Sequence, residues 1–161
     1  MIEGMYSTRI SQHVRAPRSA VYRALLHADA IAKWRVPDNM RAEVQEFDPR
    51  EGGYFRVSLT YDSPDEVGKT SAHTDTYHGH FTKLVPNVQV VEQLQFETDD
   101  ETMAAATITM TTTLSDASGG GTDVEILHEG MPDSIPKADN ELGALMSLAK
   151  LARLVEATIE H

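Results

Sequence analysis

The chain has 161 residues, 40% of them apolar and 24% charged, enough for one domain that buries ~70% of its unfolded surface. Fourteen Lys and Arg against 25 Asp and Glu leave a formal net charge of −11, which lacks the basic footprint that nucleic acid or an anionic membrane requires. Without cysteine there is no disulfide, thiolate nucleophile or thiolate metal site. No run approaches the ~20 apolar residues of a membrane span. The N-terminus lacks the basic and apolar regions of a secretion signal, so the expected location is the cytoplasm.

Residues Ser7 to Val14 alternate polar and apolar and predict a half-buried strand. Pro17 stands where a helix can begin, because the first turn has no use for its missing N–H. Val21, Leu25 and Ala28 then form a stripe, and a break near Asp29 predicts two short helices ending at Trp34. From Arg41 the period becomes two. Strands are predicted at Arg41–Asp48, Tyr54–Tyr61, Thr70–Val85, Val88–Thr98, Thr102–Leu114 and Thr122–Glu129. Gly52-Gly53, Pro86-Asn87, Asp99-Asp100 and Ser118–Gly121 punctuate them as turns, and Asp62–Lys69 reads as a polar loop. Thr107, Thr109, Thr111 and Thr113 alternate with Ile108, Met110, Thr112 and Leu114, as in an antiparallel sheet with one wet side.

The chain closes on a predicted helix over Ile135–Ile159. Leu142, Leu145, Ala149, Ala152, Val155 and Ile159 follow the three-to-four spacing of a buried stripe, and Met146, Leu148, Leu151 and Leu154 widen it. So broad an apolar face calls for a concave partner surface. The predicted fold is α+β: a curved antiparallel sheet of about seven strands, two short helices after the first, and a long terminal helix packed across it. No repeat, low-complexity tract or long linker divides residues 1–161, which read as one domain.

Several strings in order resemble the START-like (SRPBCC) helix-grip superfamily, most closely the branch named for the activator of the heat-shock protein 90 ATPase. They are VRAPRSAVYRAL (Val14 to Leu25), Trp34, FDPREGGYFRV (Phe47 to Val57), YHGHFTKLVP (Tyr77 to Pro86) and GTDVEILHEGMP (Gly121 to Pro132). The resemblance implies a cavity between sheet and terminal helix, and no shared catalytic set. It also implies Gly-Trp early in the last helix. Here Gly143 is followed by Ala144, a swap that enlarges the space beneath.

The expected lining of that cavity is Trp34, Phe55, Val57, His78, Phe81, Phe96, Met110, Met131, Leu142, Leu145, Met146 and Ala149. The competing reading of these side chains is a solid core. His78 and His80 share a strand face at i, i+2, but no third ligand or HExxH spacing supports a metal. His128 shares its face with Val124 and Ile126, while its neighbour Glu129 points the other way unless a bulge intervenes. Tyr54, Tyr61 and Tyr77 are candidates to orient a ligand hydroxyl, and Ser134 has no recognisable base. The reading that follows is a small-molecule-binding domain for a lipid-like or aromatic ligand, without cofactor, metal, nucleic acid or membrane. An enzyme of the polyketide cyclase/dehydratase type, a chaperone ATPase partner and a homodimer remain as alternatives.

Overall fold

Alternation at period two builds a seven-stranded antiparallel sheet in the order β1-β7-β6-β5-β4-β3-β2. The computed structural model describes residues 5–61, 74–98 and 101–159. Its strands are β1 (Met5–Val14), β2 (Met40–Phe47), β3 (Tyr54–Tyr61), β4 (Thr74–Val85), β5 (Gln89–Phe96), β6 (Ile108–Asp116) and β7 (Thr122–Pro132). The helices are α1 (Arg18–Leu25), α2 (Ala28–Trp34), α3 (Glu101–Ala105) and α4 (Lys137–Ile159). The sheet is curved, and α4 packs across its concave face. This is the helix-grip architecture expected from the sequence.

Three of the boundaries that differ from expectation have local reasons. The two short helices part at Leu26-His27 rather than near Asp29, which lies instead in the first turn of α2, where the helix dipole favours an acid. The strand expected at Thr102–Leu114 is split. Residues 101–105 form a helical turn that buries Met103, and β6 starts only at Ile108. The terminal helix begins at Lys137, after Pro136, with Ile135 buried just ahead of it. The Asp62–Lys69 loop, the Asp99-Asp100 turn and the Thr70–His73 start of the fourth predicted strand lie outside the described residues.

The alternation expected in β6 is present: Ile108, Met110, Thr112 and Leu114 are buried and the threonines between them are half-exposed. Trp34, 1% exposed, donates its indole N–H to the Ala24 carbonyl at 2.9 Å. That bond occupies a carbonyl at the end of α1 and sets the angle between α1 and α2. Pro86 and Asn87 turn β4 into β5, with Asn87 at φ 63° and a Val88 N–H to Val85 carbonyl bond of 2.9 Å.

The rotation of α4 about its axis decides what faces the sheet. Tyr6 donates its hydroxyl to the Ile135 carbonyl, Thr8 bonds Asn140, and the Arg15 backbone N–H bonds Glu156 at 2.8 Å. On the other flank Lys150 reaches the Val36 carbonyl at 2.8 Å and Asp38 at 3.2 Å. Held this way, α4 buries Ala144, Ser147, Leu148, Leu151, Ala152 and Val155. The expected stripe was therefore rotated: Leu142 and Leu145 are 53% and 44% exposed, and Met146 and Ala149 are half-buried. Apolar size favoured the leucines, whereas the polar bonds of α4 turn a stripe of smaller residues inward.

Candidate ligand-binding cavity

The inward stripe of α4 changes character along its length. Its C-terminal half presents Leu148, Leu151 and Val155, each no more than 3% exposed, and fills the space above the sheet. The N-terminal half presents Asn140, Gly143, Ala144 and Ser147, and a cavity of about 200 Å³ lies beneath it. Small side chains over a curved sheet leave the volume unfilled. The apolar walls come from Trp34, Leu59, Leu94, Phe96, Ile108 and Met110, with Ile126, Met131 and Ile135 on the β7 side. Exposed Asp139 and half-exposed Pro37 also border the cavity, which marks where it opens.

Polar groups interrupt this wall. Arg35, the residue after α2, carries its guanidinium inward. Its Nη1 donates to Glu92 Oε1 at 2.6 Å and its Nη2 approaches Met110 Sδ at 3.1 Å. The guanidinium carbon lies 5.3 Å from the Tyr77 ring centroid and 5.9 Å from that of Phe55, within cation–π range. Burial opposes the Arg35 charge, but the Glu92 carboxylate more than offsets it and holds the pKa above the ordinary value. Glu92 is 3% exposed, so each charge is the other's compensation in a region of low dielectric.

Glu92, Met110 and His128 stand opposite one another on β5, β6 and β7, and Thr8 of β1 pairs His128. A cross-strand row thus carries the ion pair to the histidine. Burial, with Arg35 adding to it, pushes the His128 pKa down to about 4; the ring is uncharged at neutral pH. Its Nδ1 is buried without a hydrogen-bond partner among the described residues, and so is the hydroxyl of Tyr77. Burial pushes the Tyr77 phenol up, Arg35 partly opposing it, so the hydroxyl keeps its proton. Buried polar atoms are nearly always hydrogen-bonded; here both belong to residues that line the same cavity.

A bulge gives β7 its double use. Tyr6 pairs Met131 and Thr8 pairs His128, so β7 spends one more residue than β1 over that step. Gly130 sits there at φ 76°, and a Cβ on it would lie 2.7 Å from the Thr107 carbonyl oxygen. The extra residue resets the alternation. His128 and Met131, three positions apart, both border the cavity, while Glu129 stays exposed. His128 and Glu129 therefore do not face one atom.

Of the residues expected to line the cavity, Trp34, Phe96, Met110 and Met131 do so. Phe55, Val57 and Phe81 are buried beside it, filling the core; Phe55 and Phe81 lie 5.2 Å apart, ring to ring. His78 is on the opposite face of β4. Its Nδ1 lies 3.0 Å from Glu97 and its ring stacks on Tyr54, which is 43% exposed. The alternation places Tyr77 inward and His78 outward, so the histidine belongs to a surface network with Arg56 and Glu97. Leu142, Leu145, Met146 and Ala149 face away from the cavity through the rotation of α4. Among the described residues no group of three His, Asp or Glu is placed to hold a metal, and Ser134 is exposed.

Sequence reasoning missed Arg35, Glu92, Asn140 and Ser147, while the space expected beneath Gly143 and Ala144 is where the cavity lies. One signal was present. Val90, Glu92 and Leu94 alternate as one face of β5, and a carboxylate between two inward apolar residues demands a buried cation.

Residues 15–156 match the family described as Activator of Hsp90 ATPase homolog 1-like protein. The chain belongs to that family. Among solved structures it is similar to protein CV1439 from Chromobacterium violaceum, with 31% identity and a TM-score of 0.81 over 94% of this chain and 98% of that one. A protein from Rhodobacter sphaeroides shares the fold at 15% identity and a TM-score of 0.77, covering 94% of this chain and 93% of that one. Protein NE0264 from Nitrosomonas europaea does so at 16% identity and a TM-score of 0.70, covering all of both chains. No curated protein matches the chain. No helix among the described residues is long and apolar enough to cross a membrane.

Proposed function

We propose that this protein binds a hydrophobic small molecule in the cavity between α4 and the concave face of the sheet. The observation that carries the reading is the unfilled volume of about 200 Å³ beneath Gly143, Ala144 and Ser147. Its wall is mostly apolar with a few placed polar groups, the usual make-up of a ligand site. Volume also bears on ligand size. An engineered apolar cavity of ~150 Å³ holds benzene, so about 200 Å³ suits a ring with short substituents and is small for a long acyl chain. Of the two ligand types expected from the sequence, the aromatic one is favoured.

A thermal-shift screen of ring-sized aromatic compounds tests this, with Ala144→Trp as the control. Compounds that raise the melting temperature of the wild type and leave the variant unmoved support the reading. A screen without any shift, or with equal shifts in both proteins, overturns it.

A further inference from the structure

Among the described residues, two buried atoms of residues that line the cavity lack a hydrogen-bond partner, and the strands that carry them are not neighbours. The Tyr77 hydroxyl comes from β4 and His128 Nδ1 from β7, with β5 and β6 between. Tyr77 is 5% exposed. Leaving such groups unsatisfied is expensive, and a bound molecule that pairs with them removes the cost. Two strands separate those that carry them, so a ligand pairing with both is expected to use separate ends.

The charges around them restrict the ligand further. Arg35 is the sole cation of the wall among the described residues, and Glu92 at 2.6 Å already neutralises it. His128 is uncharged at neutral pH. Asp139 at the opening adds negative charge. A carboxylate or phosphate ligand would enter this site past an acidic group and without a free counter-charge. Nor does the site favour a cation, since Arg35 occupies the Tyr77 ring face.

We infer that the cavity selects an uncharged, ring-sized molecule carrying a hydrogen-bonding group at each of two opposite ends, one received by the Tyr77 hydroxyl and one by the His128 imidazole. A hydroxy-substituted aromatic ketone has that chemistry. The inference rests on the reading of the cavity as a ligand site and adds to it the polar pattern of the ligand.

Four probes separate the two levels: 4-hydroxyacetophenone (two polar ends), acetophenone (one), α-methylstyrene (none, with the same shape as acetophenone) and 4-hydroxybenzoate (charged). Dissociation constants are measured by calorimetry for the wild type, Tyr77→Phe and His128→Leu, after circular dichroism has established that each is folded. Affinity is expected to fall about five- to tenfold for each polar end removed from the probe, the worth of one net hydrogen bond. Tyr77→Phe should abolish one of these steps and leave α-methylstyrene within twofold of its wild-type affinity. His128→Leu, which should abolish the other, provides an independent reading if Tyr77→Phe fails to fold. The polar inference is overturned if α-methylstyrene binds as tightly as 4-hydroxyacetophenone, if neither variant alters the order, or if 4-hydroxybenzoate binds best. If none of the four binds the folded wild type, the ligand-site reading itself falls.

Discussion

Arg35 and Glu92 meet at 2.6 Å on the concave side of the sheet, with side chains only 13% and 5% exposed. Neither belongs to a helix or turn that would hold it in place alone. Arg35 follows the last residue of α2 and Glu92 comes from the middle of β5, so their contact ties the short helices to the centre of the sheet. The same contact fixes the charge pattern of the cavity, because Tyr77, Met110 and His128 are arranged around it.

Breaking this pair from one side leaves a buried charge uncompensated. Glu92→Leu alone and Arg35→Met alone are each expected to destabilise the fold by about 3–5 kcal/mol, whereas the two combined should cost much less or nothing. Urea denaturation of the wild type, both single variants and the double variant forms the cycle that measures this. A double-variant loss equal to the sum of the two single losses would show that the pair is not coupled.

His128 should make stability fall with acid. Its pKa is about 4 in the folded protein and ~6.5 in the unfolded chain. The unfolded state therefore binds the extra proton first. Stability is fully present above about pH 6.5 and is lost as the pH drops toward about 4, a change on the order of 3 kcal/mol. His128→Gln should flatten the stability profile between pH 6.5 and 4.5. Below that window Glu97 and Glu156, both held under the usual carboxylate range by hydrogen bonds from arginines, add their own acid sensitivity.

Helical phase separates the two leucine sets of α4. Leu148→Ala should cost about 2–5 kcal/mol, as for other fully buried leucines. Leu142→Ser and Leu145→Ser should each stay within about 0.5 kcal/mol and leave ligand affinity unchanged. Thermal melts of the three variants distinguish this rotation from the one that apolar size suggests.

The β7 bulge requires Gly130. A side chain there meets both an unfavourable backbone angle and the Thr107 carbonyl, so Gly130→Val should destabilise by about 2 kcal/mol or more. The chemical shifts of His128 and Met131 should move together, since one extra residue aims both.

Period-two patterning made the sheet legible, down to the threonine face of β6, and the strings around Gly52-Gly53 and His128 placed it in a superfamily. The cavity was half legible. Trp34, Phe96, Met110 and Met131 are apolar residues whose parity or helix position already pointed them inward. His78 was misplaced because two neighbours in a strand differ only in parity, and Tyr77 holds the inward position. Leu142 and Leu145 were misplaced because hydrophobicity ranks a leucine above a glycine or alanine. The rotation of α4 is set by bonds to Thr8, Arg15 and Val36, each more than a hundred positions distant in the chain. No local pattern reports such bonds.

Division of labour along α4 has an evolutionary corollary. Apolar anchoring is concentrated in the half containing Leu148, Leu151 and Val155, while the turn at Gly143, Ala144 and Ser147 determines how much room remains below. Exchanging residues in that turn can resize the chamber without loosening the scaffold. The architecture thereby lets one backbone diversify its guests by a few substitutions on one rung of one helix.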